Sequence, residues 1–248
     1  MSSTERKKRE KEQRRNLIID AAEKLFFSRG YDEVTMDDVA QEAELSKALL
    51  YYYFKDKEAL FFAVDLRGAR ILDSMYNKCF KLKTDGLTKL DALGMVFYEF
   101  SVSYPDYFRL YSYAGTERFR NTDNEDAREI TRMGIENWHM ICKTIRSGMQ
   151  DGTIRKDIDP EEIAVFLTVA NIAVLNLDPG WVQLFESKGI QKSDIWMNFR
   201  RFMIPAVTCK PEPYAEKVLE KTYCKPRRHE MKKKTFKNSV DAGEFGGQ

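Results

Sequence analysis

Residues 35–57 read TMDDVAQEAELSKALLYYYFKDK, and this segment decides the fold of the N-terminal part of the chain. Thr35 and Ser46 are favourable N-cap residues, and a short helical pattern of apolar residues follows each of them. The segment therefore predicts two short helices joined by a tight turn, with a further helix starting at Lys57. A helix-turn-helix of this kind places its second helix in the major groove of DNA.

Helical periodicity also dominates the rest of the 248 residues, and no convincing alternating strand pattern appears. We therefore predict an all-α fold with an N-terminal three-helix unit and a larger helical body. The predicted divisions are a basic extension at 1–16, the helix-turn-helix domain at 17–63, the body at 64–207 and a basic tail at 208–248.

Composition limits the classes of function. The net charge of +2 does not by itself indicate a nucleic-acid partner, but residues 1–16 carry seven Lys and Arg against three Glu. This basic segment is interpreted either as an arm that touches DNA or as a solvated extension of the first helix. The basic tail is likewise interpreted either as a DNA contact or as a solvated segment, and the second interpretation is favoured.

Cysteine and hydropathy patterns argue against several other classes. The four cysteines form no Cys-x-x-Cys pair and there are only two histidines, so neither a disulfide scaffold nor a metal site is predicted. The charged N-terminus does not resemble a signal peptide, and the longest apolar stretch, 163–177, is short for a membrane span. We therefore expect a cytoplasmic protein without a membrane segment, and we predict no cofactor.

Residues 17–63 resemble the N-terminal domain of the TetR (tetracycline-repressor-like) family, and 148–160 resemble the middle of its regulatory domain more weakly. The resemblance implies a homodimeric transcriptional regulator that binds a palindromic operator in double-stranded DNA and responds to a small hydrophobic effector. The matching positions in the N-terminal domain are Ala21, Ala22, Leu25, Phe26, Gly30, Tyr31, Thr35, Val39, Ala40, Ala43, Ser46, Leu50, Tyr51, Tyr53, Phe54, Lys57, Glu58 and Leu60.

By this resemblance, some side chains hold the DNA backbone and others face the bases. Ser46 would cap the recognition helix, whose positive dipole end lies near phosphates. The predicted DNA-binding residues are Thr35, Ser46, Lys47, Ala48, Leu49, Tyr51, Tyr52, Tyr53 and Lys57.

Two features of this segment qualify the interpretation. Tyr51, Tyr52 and Tyr53 cannot all point the same way on a helix, so at least one is expected to pack inward. The family's turn usually carries Gly where this chain has Glu44, and a left-handed non-Gly residue costs about 1 kcal/mol. We therefore expect a strained or reshaped turn.

The body contains clustered aromatic residues and two strongly apolar helical segments, at about 161–176 and 193–205. Taken singly, each of these residues is better interpreted as part of the hydrophobic core. By resemblance, we predict a ligand pocket lined by Phe97, Tyr98, Phe100, Tyr104, Tyr107, Phe108, Tyr111 and Trp138. The predicted dimer interface comprises Val165, Val169, Ile172, Trp196, Phe199 and Met203.

Several functions compete at this stage. The sequence lacks a Ser-His-Asp order, a metal-ligand spacing and a phosphate-binding glycine loop, so we predict that the protein is not an enzyme. The favoured hypothesis is a repressor released from DNA by its effector. The alternatives are a helical small-molecule-binding protein without a DNA role, and an activator that acts through protein partners.

Overall fold

The computed structural model describes residues 3–119 and 122–208, and within these ranges the secondary structure is entirely helical. The all-α prediction is confirmed. The predicted tail, apart from its first residue, lies outside the described residues. The helices are α1 (Ser3–Arg29), α2 (Met36–Glu42), α3 (Lys47–Tyr53), α4 (Lys57–Phe80), α5 (Gly86–Ser103), α6 (Pro105–Ala114), α7 (Glu125–Asp151), α8 (Pro160–Leu175), α9 (Pro179–Glu186) and α10 (Lys192–Thr208), with a short 3₁₀ helix at Glu117–Phe119.

The helix starts in the N-terminal part, which we call the head (3–64), follow from side-chain caps. Thr35 and Asp38 form a capping box, in which the Thr35 hydroxyl accepts from the Asp38 amide at 3.1 Å and the Asp38 carboxylate accepts from the Thr35 amide at 2.8 Å. Ser46 caps α3 by accepting from the Leu49 amide at 3.3 Å, and Asp56 caps α4. The predicted starts of α2, α3 and α4 agree with these bounds.

One part of the helix pattern agrees with one of the two interpretations of the basic segment, and two other parts differ from expectation. Helix α1 begins at Ser3, so the basic segment is helical, and its Arg6 and Glu10 pair at 2.8 Å one turn apart. Helix α9 was not predicted, although Asp178 and the proline after it are a cap and a first-turn residue. Helix α10 continues through Pro205 to Thr208, where Arg155 donates its backbone N–H to the Val207 carbonyl at 3.0 Å.

Helix α4 belongs to two cores. Its first turns place Leu60, Phe61 and Val64 in the core of the head, together with α1, α2 and α3. Further along, Leu72 lies in a second core with residues of α5, α6, α8 and α10. One continuous helix therefore joins the head to the body (residues 65–208 of the described part).

Helix α6 attaches the body to α1 with polar contacts. The Tyr107 hydroxyl donates to the Glu23 carboxylate at 2.6 Å, and the Arg109 guanidinium donates to the Phe27 carbonyl at 2.6 Å. Glu23 also pairs with Arg67 of α4 at 2.9 Å. These bonds connect α1, α4 and α6.

Within the described ranges, no single helix is long and apolar enough to cross a membrane. Helices α8 and α9 reach the required length and hydropathy only as a pair, and that pair is bent by 68°.

Asp65 is an unusual member of the α4 interior. It is only 2% exposed, and its Oδ2 atom has no hydrogen-bond partner within the described residues. Burial raises the pKa of this carboxyl to about 7. Because the folded state holds this proton more tightly than the unfolded state, protonation of Asp65 contributes to the free energy of unfolding. This contribution is complete below about pH 4 and is lost as the pH rises towards 7.

We predict that Asp65→Asn removes this pH dependence. The free energy of unfolding of the unmodified chain should fall between about pH 4 and pH 7 by up to about 4 kcal/mol relative to the variant, since each pKa unit corresponds to about 1.4 kcal/mol. Urea unfolding at several pH values measures the difference. Asp73→Asn, on the partly exposed side of α4, is the matched control, and equal pH profiles for Asp65→Asn and the unmodified chain would contradict the assignment.

Candidate DNA-binding surface and body cavity

Helix α3 presents an open surface at one side of the head. Lys47, Ala48, Tyr51 and Tyr52 are exposed and share one face of the helix, since they follow one another at i, i+1, i+4 and i+5. On the opposite side, Leu50 is fully buried in the head core. The buried side fixes the helix, and the exposed side is free to contact a groove or a phosphate backbone.

The other predicted contact residues border this face. Thr35 and Ser46 are exposed, while their hydroxyls cap α2 and α3, so they have the structural role that any N-cap has. Leu49 is half-buried at the edge of the face.

The three tyrosines divide as the helical geometry requires. Tyr52 is 69% exposed and Tyr51 is 45% exposed, whereas Tyr53 packs against the head core. The rings of Tyr52 and Tyr53 meet edge to face at 5.2 Å. Lys11 of α1 lies over the Tyr52 ring at 5.7 Å, which brings the basic segment beside the exposed face of α3.

The turn between α2 and α3 keeps its shape despite the absence of glycine. Glu44 adopts a left-handed conformation with φ of 53°, as expected for the position at which the family's turn usually carries Gly. The amide of Leu45 donates to the Ala40 carbonyl at 2.9 Å, so the backbone bonds of the turn are made. The strain is therefore local, about 1 kcal/mol, and does not displace α3.

Lys47 is held by an acidic neighbour. Its ammonium group lies 2.7 Å from a carboxylate oxygen of Asp37 on α2, and both side chains are exposed. The hydrogen bond to Asp37 raises the pKa of Lys47. A phosphate or base acceptor would therefore have to compete with Asp37 for this ammonium.

Lys57 has a different environment from the one its predicted role needs. Its ammonium donates to the carbonyls of Val34, Tyr31 and Asp32 at 2.8, 2.9 and 3.3 Å, and it lies over the Tyr31 ring at 4.3 Å. All three N–H donors are thus used, and burial lowers the pKa of Lys57. Lys57 is one of the predicted DNA-binding residues, and in this structure its side chain fastens the α1–α2 loop to the start of α4.

The body contains a partly open cavity of about 220 Å³ between α4, α5, α6, α7, α8 and α10. Three of the eight predicted pocket residues line it, namely Phe97, Tyr111 and Trp138. The wall also includes residues that the sequence did not single out for this role, among them Leu72, Tyr76, Asp91, Met133, Asn137, Thr168, Asn171, Trp196, Phe199, Arg200 and Met203.

The other five predicted pocket residues lie elsewhere. Phe100 and Phe108 are buried in the second core, and Tyr98 stacks on the Trp196 ring at 4.3 Å without reaching the cavity. Tyr107 points to α1, where it bonds Glu23, and Tyr104 is 38% exposed at the junction of α5 and α6. Aromatic residues fill several sides of the two helices, and sequence alone does not show which side faces the cavity.

Four polar side chains of the cavity wall form two pairs. The Arg200 guanidinium binds the Asp91 carboxylate through two contacts of 2.5 Å each. The Trp196 indole N–H donates to the Asn171 side-chain oxygen at 2.8 Å. The wall thus combines an apolar lining with an internally neutralised ion pair.

The predicted dimer residues separate into two groups. Val165 and Val169 of α8 are 50% and 60% exposed. Trp196 is buried, Phe199 and Met203 line the cavity, and Ile172 packs on the second core, which corrects their assignment to an external face. The outward apolar residues that the sequence analysis missed are Phe166 on α8 and Met197 and Phe202 on α10, and Phe202 is 78% exposed.

No group of three or more His, Cys, Asp or Glu side chains within residues 3–119 and 122–208 is placed to hold a metal ion.

Comparisons with known proteins agree with this geometry. Residues 18–64 match the family described as "Bacterial regulatory proteins, tetR family". Over 171 residues the chain is 29% identical to the HTH-type transcriptional repressor KstR2 of Rhodococcus jostii (strain RHA1), covering 67% of this chain and 81% of that protein. Residues 18–64 therefore form a DNA-binding domain of the TetR type.

Two further comparisons define how far the likeness reaches. A 90-residue match to the HTH-type transcriptional activator FasR of Mycolicibacterium smegmatis, at 33% identity, covers 36% of this chain and 41% of that protein. The crystal structure of a TetR/AcrR-family regulator from Thermobifida fusca superposes with a TM-score of 0.61 at 23% identity, over 77% of this chain and 97% of that one. The TetR-type fold therefore extends beyond the head through the body.

These matches confirm two predictions from the sequence. The protein is a DNA-binding transcriptional regulator, and the proteins that it matches are regulators rather than enzymes.

We predict opposite consequences for the two lysines. Lys57→Met should lower the free energy of unfolding by about 1–3 kcal/mol, because three carbonyls lose a charged donor. Lys47→Met should leave the free energy of unfolding nearly unchanged, because its pair with Asp37 is exposed, while DNA affinity falls. Denaturant unfolding and salt-dependent DNA titrations measure the two effects.

Lys55→Met, which changes an exposed neighbour, is the control for stability. If Lys57→Met were as stable as this control and lost DNA affinity as Lys47→Met does, the loop-fastening role would be wrong.

Proposed function

We propose that this regulator binds a palindromic operator in double-stranded DNA as a homodimer, represses transcription there, and is released when a small hydrophobic effector fills the body cavity. The exposed face of α3 above a buried scaffold is the observation that carries the proposal. Repression is favoured over activation because the longer of the two curated matches, to KstR2, is to a repressor. We place this activity in the cytoplasm.

The α3 face supports a division of labour among its side chains. Lys47 and Tyr51 supply an ammonium and a hydroxyl at the edge of the face, where phosphate contacts position the helix. Ala48, Leu49 and Tyr52 present small, apolar and aromatic groups to base edges, and Leu49 suits a thymine methyl. Thr35, Ser46, Tyr53 and Lys57 are proposed to act mainly by holding the helices in position.

The basic N-terminal half of α1 supports a second contact with DNA. Lys11 lies over the Tyr52 ring, so the positive charge of α1 continues the surface formed by α3. Because the segment is helical from Ser3, we propose that it follows phosphates rather than entering a minor groove as an extended arm.

An apolar surface on α8 and α10 supports the homodimer. Val165, Phe166 and Val169 of α8 and Phe202 of α10 are all at least half exposed. Exposed apolar surface of this kind on packed helices marks an interaction site. A two-fold axis through this surface would bury these residues in both protomers. It would also set the spacing of the two α3 helices.

Contacts between cavity and head support effector-driven release. Tyr111 of α6 lines the cavity, and Tyr107, one turn earlier on the same helix, bonds Glu23 of the head. Arg15 of α1 also pairs with Asp126 of α7 at 3.0 Å. An effector that binds the DNA-incompatible arrangement more tightly shifts the population away from the operator-bound state.

Selection of bound duplexes from a random DNA pool, followed by affinity measurements against salt concentration, tests the proposal. The expected result is one palindromic site bound with a steep salt dependence. Weak binding of all sequences alike would show that the proposed operator recognition is wrong.

We predict that two substitutions in α3 have different effects on the selected site. Tyr51→Phe should weaken binding to all sequences about equally, since it removes a phosphate contact. Leu49→Ala should change the preference at one base position of each half-site, by about 1–3 kcal/mol. Binding to a set of single-base operator variants measures both, and a uniform loss for Leu49→Ala would contradict its assignment to the bases.

We predict that Phe202→Glu separates the protomers. Because of the two-fold symmetry, each protomer would bring one negative charge into the interface. The dimer dissociation constant should therefore rise by at least about 100-fold, and operator affinity should fall with it. Sedimentation equilibrium measures the assembly. Leu82→Glu, at an exposed apolar residue outside α8 and α10, is the control, and a Phe202→Glu dimer as stable as this control would place the interface elsewhere.

A further inference from the structure

The cavity has an unusual set of unpaired polar groups. Tyr76 of α4 and Tyr111 of α6 both line it, and within the described part of the chain neither hydroxyl makes a hydrogen bond to another protein group. The indole Nε1 of Trp138, in the same wall, is buried and also lacks a partner there. An indole N–H can only donate, and a phenol can donate one hydrogen.

The two phenols remain protonated at neutral pH. Burial raises the pKa of Tyr76, with a smaller contribution from Tyr111. Burial also raises the pKa of Tyr111, and the nearby Asp65 carboxyl adds to this effect. Both groups therefore offer a hydrogen to whatever fills the cavity.

The remaining polar groups disfavour a charged occupant. Arg200 and Asp91 neutralise each other through two hydrogen bonds, so the pair offers neither a ligand carboxylate nor a ligand cation an uncompensated counter-charge. Asp65 lies on α4 one turn before Ala69 of the cavity wall, and its charge when ionised would further disfavour an anion.

We propose that the cavity binds an uncharged, mainly apolar molecule with an oxygen acceptor, such as a ketone or an ester, that accepts hydrogen bonds from Tyr76 and Tyr111. This inference rests on the proposed function, because it assigns the chemistry of the effector that the cavity receives. The apolar walls contribute the binding energy, and the two phenols select the acceptor.

Three probes with the same compact hydrocarbon cage test the proposal: adamantanone, adamantanecarboxylate and adamantylammonium. Calorimetric titration into the full chain should show binding of the ketone and at least about tenfold weaker binding of both ions, because each ion would lose its hydration without a free counter-charge. Tyr76→Phe and Tyr111→Phe should each weaken ketone binding about fivefold, the effect of one net hydrogen bond.

Tyr98→Phe is the matched control, since Tyr98 stacks on the outer side of Trp196 and does not line the cavity. It should bind the ketone as the unmodified chain does. Cooperative unfolding of every variant verifies that the body is folded, and the use of two independent phenol variants keeps the test valid if one of them misfolds.

The proposal is overturned if either ion binds as tightly as the ketone, if none of the probes binds, or if both phenol variants bind the ketone with unchanged affinity. Titration of the same preparations with the selected operator separates this result from a failure of the proposed function. Retained operator binding without ketone selectivity would reject only the effector chemistry, whereas loss of specific DNA binding by the unmodified chain would reject the regulator mechanism itself.

Discussion

The structure depends on one constraint, which is that α4 is shared between the two cores. Leu60, Phe61 and Val64 anchor its beginning in the head, and Leu72 and Tyr76 place its later turns in the body. Because these side chains lie on one continuous helix, the head cannot change direction without disturbing the packing around the cavity. Coupling between the cavity and the recognition helix thus needs no separate linker.

A second attachment between the cavity and the head runs through α6. Helix α6 packs so closely on α4 that a Cβ atom added at Gly68 would lie 2.7 Å from the Tyr107 ring. The same tyrosine bonds Glu23, while Tyr111 one turn later lines the cavity. A ligand that displaces Tyr111 therefore acts on a helix that is hydrogen-bonded to α1 one turn earlier, and tight packing favours discrete rearrangement over gradual deformation.

Prediction from sequence succeeded where the determinants are local. The caps Thr35, Ser46 and Asp56 act within three residues, and their positions predicted the starts of α2, α3 and α4. It failed where partners are distant in the chain. Asp91 and Arg200 are 109 residues apart, and the three carbonyls bound by Lys57 come from a loop more than twenty residues earlier. Helical periodicity identifies an apolar face but not which neighbour covers it.

This distinction explains why Lys47 and Lys57 have different roles, although the sequence predicted DNA contact for both. Lys57 spends its three donors on backbone carbonyls, and burial lowers its pKa, so its charge serves the fold. Lys47 has a single exposed carboxylate partner, and water screens that pair. A phosphate can therefore replace Asp37 at little cost, whereas recruiting Lys57 would open the α1–α2 loop. The head thus separates the charge that holds it together from the charge available to DNA.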